Sequence, residues 1–281
     1  MAIRIITDST SDIPLVKQKD YDIDIVSLSV LFDDKRYVDG VDLQKEQFYA
    51  MLAEAESLPT TSQVNPDGFE ELFKKYADAG DEVITLTISS KLSGTYQSAI
   101  IAKDMVESSH LFVVDSRSAT FGLALLVFEA IRMRDNGMSA KDIYERLMVL
   151  RGKIKFYAVV NTLKYLKMGG RLTSSAALVG GVLGIKPIVS IINGKVESIA
   201  KARGQRQAYA WILDKIKEEI PDSRFPLVFG HSNAPEKMQD FLSYISGSVD
   251  INNANICEIG CVIGTHSGPG CLGLAYIPYE K

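Results

Sequence analysis

The chain has 281 residues, with 31 Lys and Arg against 35 Asp and Glu, a formal net charge of −4. That length can bury a sizeable core without metals or disulfides and, at about 150 residues per domain, predicts two domains. Hydrophobic residues make up 46%, which excludes disordered, collagen-like and disulfide-scaffold chains, and the mild acidity excludes a general nucleic-acid binder.

The first eight residues hold neither a basic region followed by a long apolar stretch nor a small-residue cleavage site, so a cytoplasmic protein is expected. Residues 3–7 read as a short apolar strand ending at Asp8. Ser11 and Asp12 precede a helical turn opened by Pro14, and residues 23–28 read as a second strand. Asp42 is placed to cap a helix carrying Leu43, Phe48, Met51 and Leu52. Asn65-Pro66 starts another, with Phe69, Leu72, Phe73 and Tyr76 at helical spacing. Residues 83–88 predict a strand, Gly94 opens a helix, and residues 111–114 predict a strand ending at Asp115. A long apolar helix follows, and Ser139 with Asp142 caps the next. Strands separated by helices imply a parallel, doubly wound α/β/α sheet.

The second half reads differently. Residues 156–160 predict a strand, and residues 163–168 a helix that stops at Gly169-Gly170. The stretch 172–184 is apolar and rich in small residues, too short and too broken to span a membrane. Asn193-Gly194 between residues 188–192 and 195–199 predicts a hairpin, because Asn-Gly tolerates the positive φ angles of a type I′ turn. A helix running to Ile220, a strand at 227–230, a helix at 235–245 and strands at 256–263 and 272–277 complete the chain. The expectation is an α/β protein of two domains, residues 1–152 with the parallel sheet and residues 153–281 with a mixed or antiparallel α+β arrangement.

In an open parallel sheet, ligands bind beyond the carboxyl ends of the strands. Asp8-Ser9-Thr10-Ser11, Ser89-Ser90 and Asp115-Ser116 stand at three such ends, where capping is the alternative role. Leu92-Ser93-Gly94-Thr95 joins a strand to a helix. Its N–H groups and the hydroxyls of Ser93 and Thr95 suit an anion, and Gly94 permits close approach. It is neither a Walker loop nor a nucleophile elbow. Thr60-Thr61-Ser62-Gln63 offers further hydroxyls from a loop. Of three histidines, His110 reads as surface and His231 as a cap, whereas His266 lies in a glycine-rich turn, Gly264 to Gly270, where it can meet a carboxylate. A Ser93–His266–Asp115 hydrolase triad, acting on lipid or thioester substrates, is the competing reading. Cys257, Cys261 and Cys271 match no zinc spacing and predict free, buried thiols in a reducing compartment. Lys164, Lys167 and Arg171, then Lys201, Arg203 and Arg206, form two modest basic groups, either solvated faces or docking points for a phosphate-bearing partner.

An ordered set of motifs spans nearly the whole chain: Thr7-Asp8-Ser9-Thr10-Ser11-Asp12-Ile13-Pro14, Thr61-Ser62-Gln63 with Pro66, Ser89 to Tyr96, Val114-Asp115-Ser116, Leu163 to Arg171, Lys186-Pro187-Ile188 and His266 to Gly270. Together they resemble the DegV family. The resemblance implies a fatty acid held in a tunnel between two α/β domains, its carboxylate at the hydroxyls of Thr61 and Ser93, with Ser62 and His266 nearby and Gly94 and Thr95 in the same cradle. It implies no catalytic group and no cofactor. It further implies the role of the fatty-acid-binding subunit of a bacterial fatty acid kinase system (FakB-like). There the bound acid is presented to a dihydroxyacetone-kinase-like, ATP-dependent subunit, and the acyl phosphate feeds phospholipid synthesis. Arg171 and Arg203 match positions for phosphate or kinase contact at the mouth. Such a protein does not span a membrane, though transient membrane contact fits the role. The uncharged run 172–185 and the helix over 121–128 are the expected tunnel walls, with ordinary core packing as their alternative.

Overall fold

The computed structural model describes residues 1–173 and 184–280. In chain order the first half contains β1 (Ile3–Asp8), α1 (Gln18–Tyr21), β2 (Ile23–Val26), β3 (Ser29–Phe32), β4 (Lys35–Val38), α2 (Lys45–Glu54) and β5 (Thr60–Ser62). It continues with α3 (Pro66–Asp78), β6 (Glu82–Thr87), α4 (Thr95–Val106), β7 (Leu111–Asp115), α5 (Phe121–Asp135) and α6 (Ala140–Leu150). The second half contains β8 (Lys155–Val159), α7 (Lys164–Met168), β9 (Ile185–Ile192), β10 (Lys195–Arg203), α8 (Gln205–Glu218) and β11 (Val228–His231). It ends with α9 (Pro235–Ile245), β12 (Asn255–Glu258), α10 (Cys261–Ser267) and β13 (Leu272–Tyr276).

Strands β1, β2, β6 and β7 pair in parallel in the order β2-β1-β6-β7. Successive residues of these strands point to opposite faces, and both faces are apolar. Ile6, Val83, Leu111 and Val113 pack with Phe69 and Phe73 of α3 and Ala99 and Ala102 of α4. Their neighbours Ile5, Ile84, Leu86 and Val114 join Leu123, Leu126 and Ala130 of α5 and Ile143 and Leu147 of α6. This two-sided burial is why the strands read as continuous apolar runs and makes the expected α/β/α arrangement.

The second sheet is mixed, in the order β10-β9-β8-β13-β11-β12, with β11 and β12 parallel and the other pairs antiparallel. One face carries Val159, Phe229, Leu274 and Tyr276 against Ile212 of α8 and Phe241 of α9. Its other face carries Ala158, Val228 and Ala275 into the same cluster as α5. Helix α5 is therefore enclosed between the two sheets, and every residue from Phe121 to Val127 is buried. The first half of the helix is apolar all round and belongs inside, while Glu129, Arg132, Arg134 and Asp135 follow in its second half. The boundary expected near Gly152 falls between the two sheets in sequence, but the apolar core runs through it.

Three expectations are corrected. β3, β4 and β5 form a small antiparallel sheet in the order β4-β3-β5, so Thr60–Ser62 is a strand and not a loop. Three residues carry too little alternation to announce a strand, and its partner is distant in sequence. The strand expected over 256–263 ends at Glu258, and helix α10 starts at Cys261, because Gly260 and two buried carboxylates described below begin a new element. Asp42 does not cap α2. Its carboxylate accepts from the Val38 amide, and Gln44 occupies the cap position. Ser139 caps α6 as expected, and Asn193 and Gly194 hold φ angles of 50° and 82°.

The polar groups at the ends of β1 and β6 are structural. Buried Asp8 accepts hydrogen bonds from the amides of Thr10 (2.9 Å) and Ile88 (2.8 Å) and from the Thr10 hydroxyl. The Ser89 hydroxyl donates to the Gly194 carbonyl at 2.8 Å, clasping the β9–β10 turn to the parallel sheet. A Cβ on Gly194 would lie 2.5 Å from that hydroxyl oxygen, so only glycine fits there. Removing a buried acceptor leaves its donors unpaired at about 1–3 kcal/mol each. Asp8→Ala is therefore expected to lower unfolding stability by about 3 kcal/mol, seen as a lower urea midpoint with an unchanged slope.

Candidate functional site

An apolar cavity lies where the two sheets and the small antiparallel sheet meet, and one end of it is polar. Leu28, Ile88, Phe156, Val189 and Ile263 contribute to its walls, while Thr61, Ser62, Ser93, Arg171 and His266 stand at the polar end. β5 brings Thr61 and Ser62, the turn between β6 and α4 brings Ser93 and Gly94, and the last turn of α10 brings His266.

The Thr61 hydroxyl and His266 Nε2 lie 2.9 Å apart. Ser93 Oγ lies 2.9 Å from Thr95 Oγ1 and accepts from the Thr95 amide at 3.3 Å. Thr95 is buried behind Ser93 and orients it. Gln63 donates to Ser98 at 2.9 Å, crossing Gly94 so closely that a Cβ there would lie 2.0 Å from its amide oxygen. Gly94 is thus demanded by a neighbouring side chain. Arg171 is held in place by bonds from Nε to the Leu92 carbonyl (3.1 Å) and from Nη1 to the Gly169 carbonyl (2.7 Å).

His266 owes its position to the first half of the chain. At the start of α10 the amides of Gly260 and Cys261 donate to Asp12 (2.8 Å) and Asp39 (3.1 Å), both buried. The Tyr49 hydroxyl donates to the Ile259 carbonyl at 3.0 Å, and Lys45 donates to the Glu258 carbonyl. Free amides at a helix start attract negative charge, so two carboxylates there hold the helix firmly. Burial nevertheless pushes the Asp12 carboxyl up to about 7, against the pull of Lys45, and raises that of Asp39. The folded chain holds the Asp12 proton more tightly than the unfolded chain, so this group favours folding increasingly as pH falls from about 7 towards 4. Gly169 packs so tightly on the imidazole that a Cβ would lie 2.1 Å from His266 Nδ1.

Burial, with a smaller contribution from the Arg171 charge, lowers His266 to about 4. The imidazole is therefore neutral at physiological pH, a hydrogen-bonding group and not a cation. Thr61, Ser62, Ser93 and His266 together form a neutral donor set at the end of an apolar cavity, with one guanidinium beside it. Such a set suits the head of an amphiphile whose tail lies against the apolar walls.

The expected residues are not all brought together. Arg203, at the exposed end of β10 opposite Ile185, is absent from the cavity wall. The hydrolase triad does not form. His266 faces Thr61, and Asp115 accepts from the Ser90 amide and hydroxyl and from the Arg117 amide. Helix α5 meets the cavity only at Phe121, and the rest of the expected wall segment is core between the sheets. Residues 174–183 of the expected tunnel run lie outside the described residues. Val189, Ile191 and Val196 of the hairpin line the cavity instead, a role their alternation did not announce. Asp12, Asp39 and Tyr49 were also missed as support for His266, because 210 or more residues separate them in sequence from the groups they hold. All three cysteines are free and buried.

Fold and site define a class, an α/β protein whose two sheets enclose an apolar cavity ending in hydroxyl and imidazole groups. A family model described as "Uncharacterised protein, DegV family" matches residues 2–279, and the chain belongs to the DegV family. A DegV domain-containing protein of Caldanaerobacter subterraneus is 38% identical over 277 residues, covering 98% of each chain. A solved DegV lipid binding protein from Thermotoga maritima superposes with a TM-score of 0.90 at 31% identity, covering 100% of both chains. A DegV family protein from Thermus thermophilus, whose structure is described by its fatty acid binding, superposes with a TM-score of 0.90 at 29% identity, covering 99% of this chain and 100% of that one. No described helix is long and apolar enough to cross a membrane.

Because the folded His266 is lowered, its contribution to stability is present above the ordinary value of 6.5 and is lost as pH falls from there towards 4. Its imidazole resonances, followed by NMR, are expected to titrate with a midpoint near 4. A midpoint at the ordinary histidine value would show that the ring is not buried as described.

Proposed function

We propose that this chain binds one long-chain fatty acid, its carboxylate at Thr61, Ser62, Ser93 and His266 and its tail in the cavity between the sheets. The observation that carries this reading is the joining of an apolar cavity to a neutral donor cluster at one end. Each methylene removed from water contributes about 0.8 kcal/mol, so the tail supplies most of the affinity. The hydroxyls and imidazole give the carboxylate the partners without which its burial is costly. The fatty acid binding of the Thermus thermophilus relative supports the same assignment.

The same reading makes the chain a non-catalytic, cytoplasmic subunit that presents its acid to an ATP-dependent, dihydroxyacetone-kinase-like partner. A carboxylate oxygen would attack the γ-phosphorus of ATP on that partner, releasing ADP and leaving an acyl phosphate for phospholipid synthesis. One feature of the site supports presentation. Thr61, Arg171 and His266 also border an outer crevice with Lys164 and Tyr165, so the head group faces a basic opening while the tail stays inside. A phosphoryl group arriving there meets Lys164 and Arg171. Arg203, which does not line the cavity, is assigned to partner contact only.

Organic extraction of the native protein followed by mass spectrometry is expected to release a fatty acid in about one-to-one ratio. A hydrogen bond to a charged group contributes about 1.5–3 kcal/mol, so Thr61→Val and Ser93→Ala should each weaken binding by about 10- to 100-fold. With the kinase subunit and ATP, hydroxylamine should trap the acyl phosphate. A chain that is empty and takes up no fatty acid overturns the proposal.

A further inference from the structure

The cavity has a direction that β8 measures. Phe156, Ala158 and Val160, two residues apart, all line it. At about 3.3 Å per residue, Phe156 lies about 13 Å from Val160 along the strand. The Val160 end is the polar one, because Leu272 pairs with Val159 and places Cys271, five residues after His266, beside it. The Phe156 end is the far one, opposite Ala275.

That far end is closed by two rings. Phe121 and Phe156 stack with centroids 4.3 Å apart and planes within 5° of parallel, and both are buried. Their place is reserved by two glycines. A Cβ on Gly230 would lie 2.2 Å from the Phe121 ring, and one on Gly122 would lie 3.1 Å from the Phe156 ring and 2.1 Å from Ser118 Oγ. Thr120, immediately before Phe121, has φ 46° and ψ −131°, a backbone conformation unusual for a β-branched residue, and it turns the chain so that the ring enters. Behind the stack lies a different environment. Phe156 and Ile191 also border an outer crevice that carries Arg117, Arg151, Lys155 and Glu218. Phe156, with Ile191, stands between the apolar cavity and that charged crevice.

We propose that the Phe121–Phe156 stack is the length stop of the cavity, selecting the longest acyl tail this chain accepts. The inference rests on the fatty-acid reading above. A tail that reaches the rings has every methylene enclosed. One that is longer must displace a ring held by two glycines or fold back against the walls. Affinity therefore rises by about fourfold with each added methylene up to a limit and then falls. Phe156 is the specificity-determining residue of the pair, because it alone of the two also borders the outer crevice.

The test titrates the delipidated full chain, Phe156→Ala and Phe156→Leu with straight-chain saturated acids lengthened two carbons at a time, read by displacement of a fluorescent fatty acid. The native chain should show a sharp length limit. Phe156→Ala should move it to acids at least two carbons longer, and Phe156→Leu by a smaller step. Phe156→Leu keeps most of the buried volume, so it reads the limit even if the alanine variant does not fold. An unchanged limit in a folded variant from which shorter acids still displace the probe overturns the stop and leaves the fatty-acid reading intact. Failure of every acid to displace the probe from the native chain overturns both.

Discussion

The site depends on an unusual cap. Helix α10 belongs to the second half of the chain, yet its first amides are held by Asp12 and Asp39 of the first half. The seven-residue helix has too few internal hydrogen bonds to stand alone. Buried carboxylates at its start anchor it to the first half of the chain through two directed amide hydrogen bonds. Everything placed by α10 inherits that anchor. His266 at its last turn meets Thr61, and the glycine turn beyond it leads into β13, where the mixed sheet takes over.

The opposing demands of burial and helix dipole explain why the anchor is shared between two acids and a lysine. One buried carboxylate is costly, and two side by side repel. Lys45 moderates both, while Tyr49 ties down the carbonyl that precedes the helix. The imidazole lies on the opposite side of this balance. Burial and the charge of Arg171 both oppose its protonation, and it is kept neutral. A neutral donor set binds a carboxylate through directed hydrogen bonds more than through net charge, and so orients the head group sharply.

Much of this was legible in the residues. The four parallel strands, the Asn193-Gly194 hairpin and the Ser139 cap follow from local chemistry that operates within a few positions. Thr61, Ser62, Ser93 and His266 stood out because polar groups between apolar elements are conspicuous, and the ordered motifs resembling the DegV family tied them together. What the residues could not show depends on contacts between distant segments. Nothing local distinguishes Asp12 capping its own turn from Asp12 capping a helix 248 residues away. Thr60–Ser62 becomes a strand only because β3 is beside it. Gly94 invited an anion-binding reading, whereas its immediate demand comes from the Gln63 side chain. Phe121 read as part of an expected tunnel wall over 121–128, and its stacking on Phe156 is what the residues could not show.

The enclosure of α5 has a consequence for how a ligand would come and go. Opening the two sheets like the covers of a book would expose Leu123, Leu125, Leu126 and Val127, all fully buried. At about 1.5–3 kcal/mol for each such side chain, these four alone approach the whole folding stability of an ordinary domain. The shared helix therefore makes wholesale separation of the two halves equivalent to unfolding. Exchange of an enclosed molecule has to run through local movement at the cavity rim, with the spine of the protein left closed.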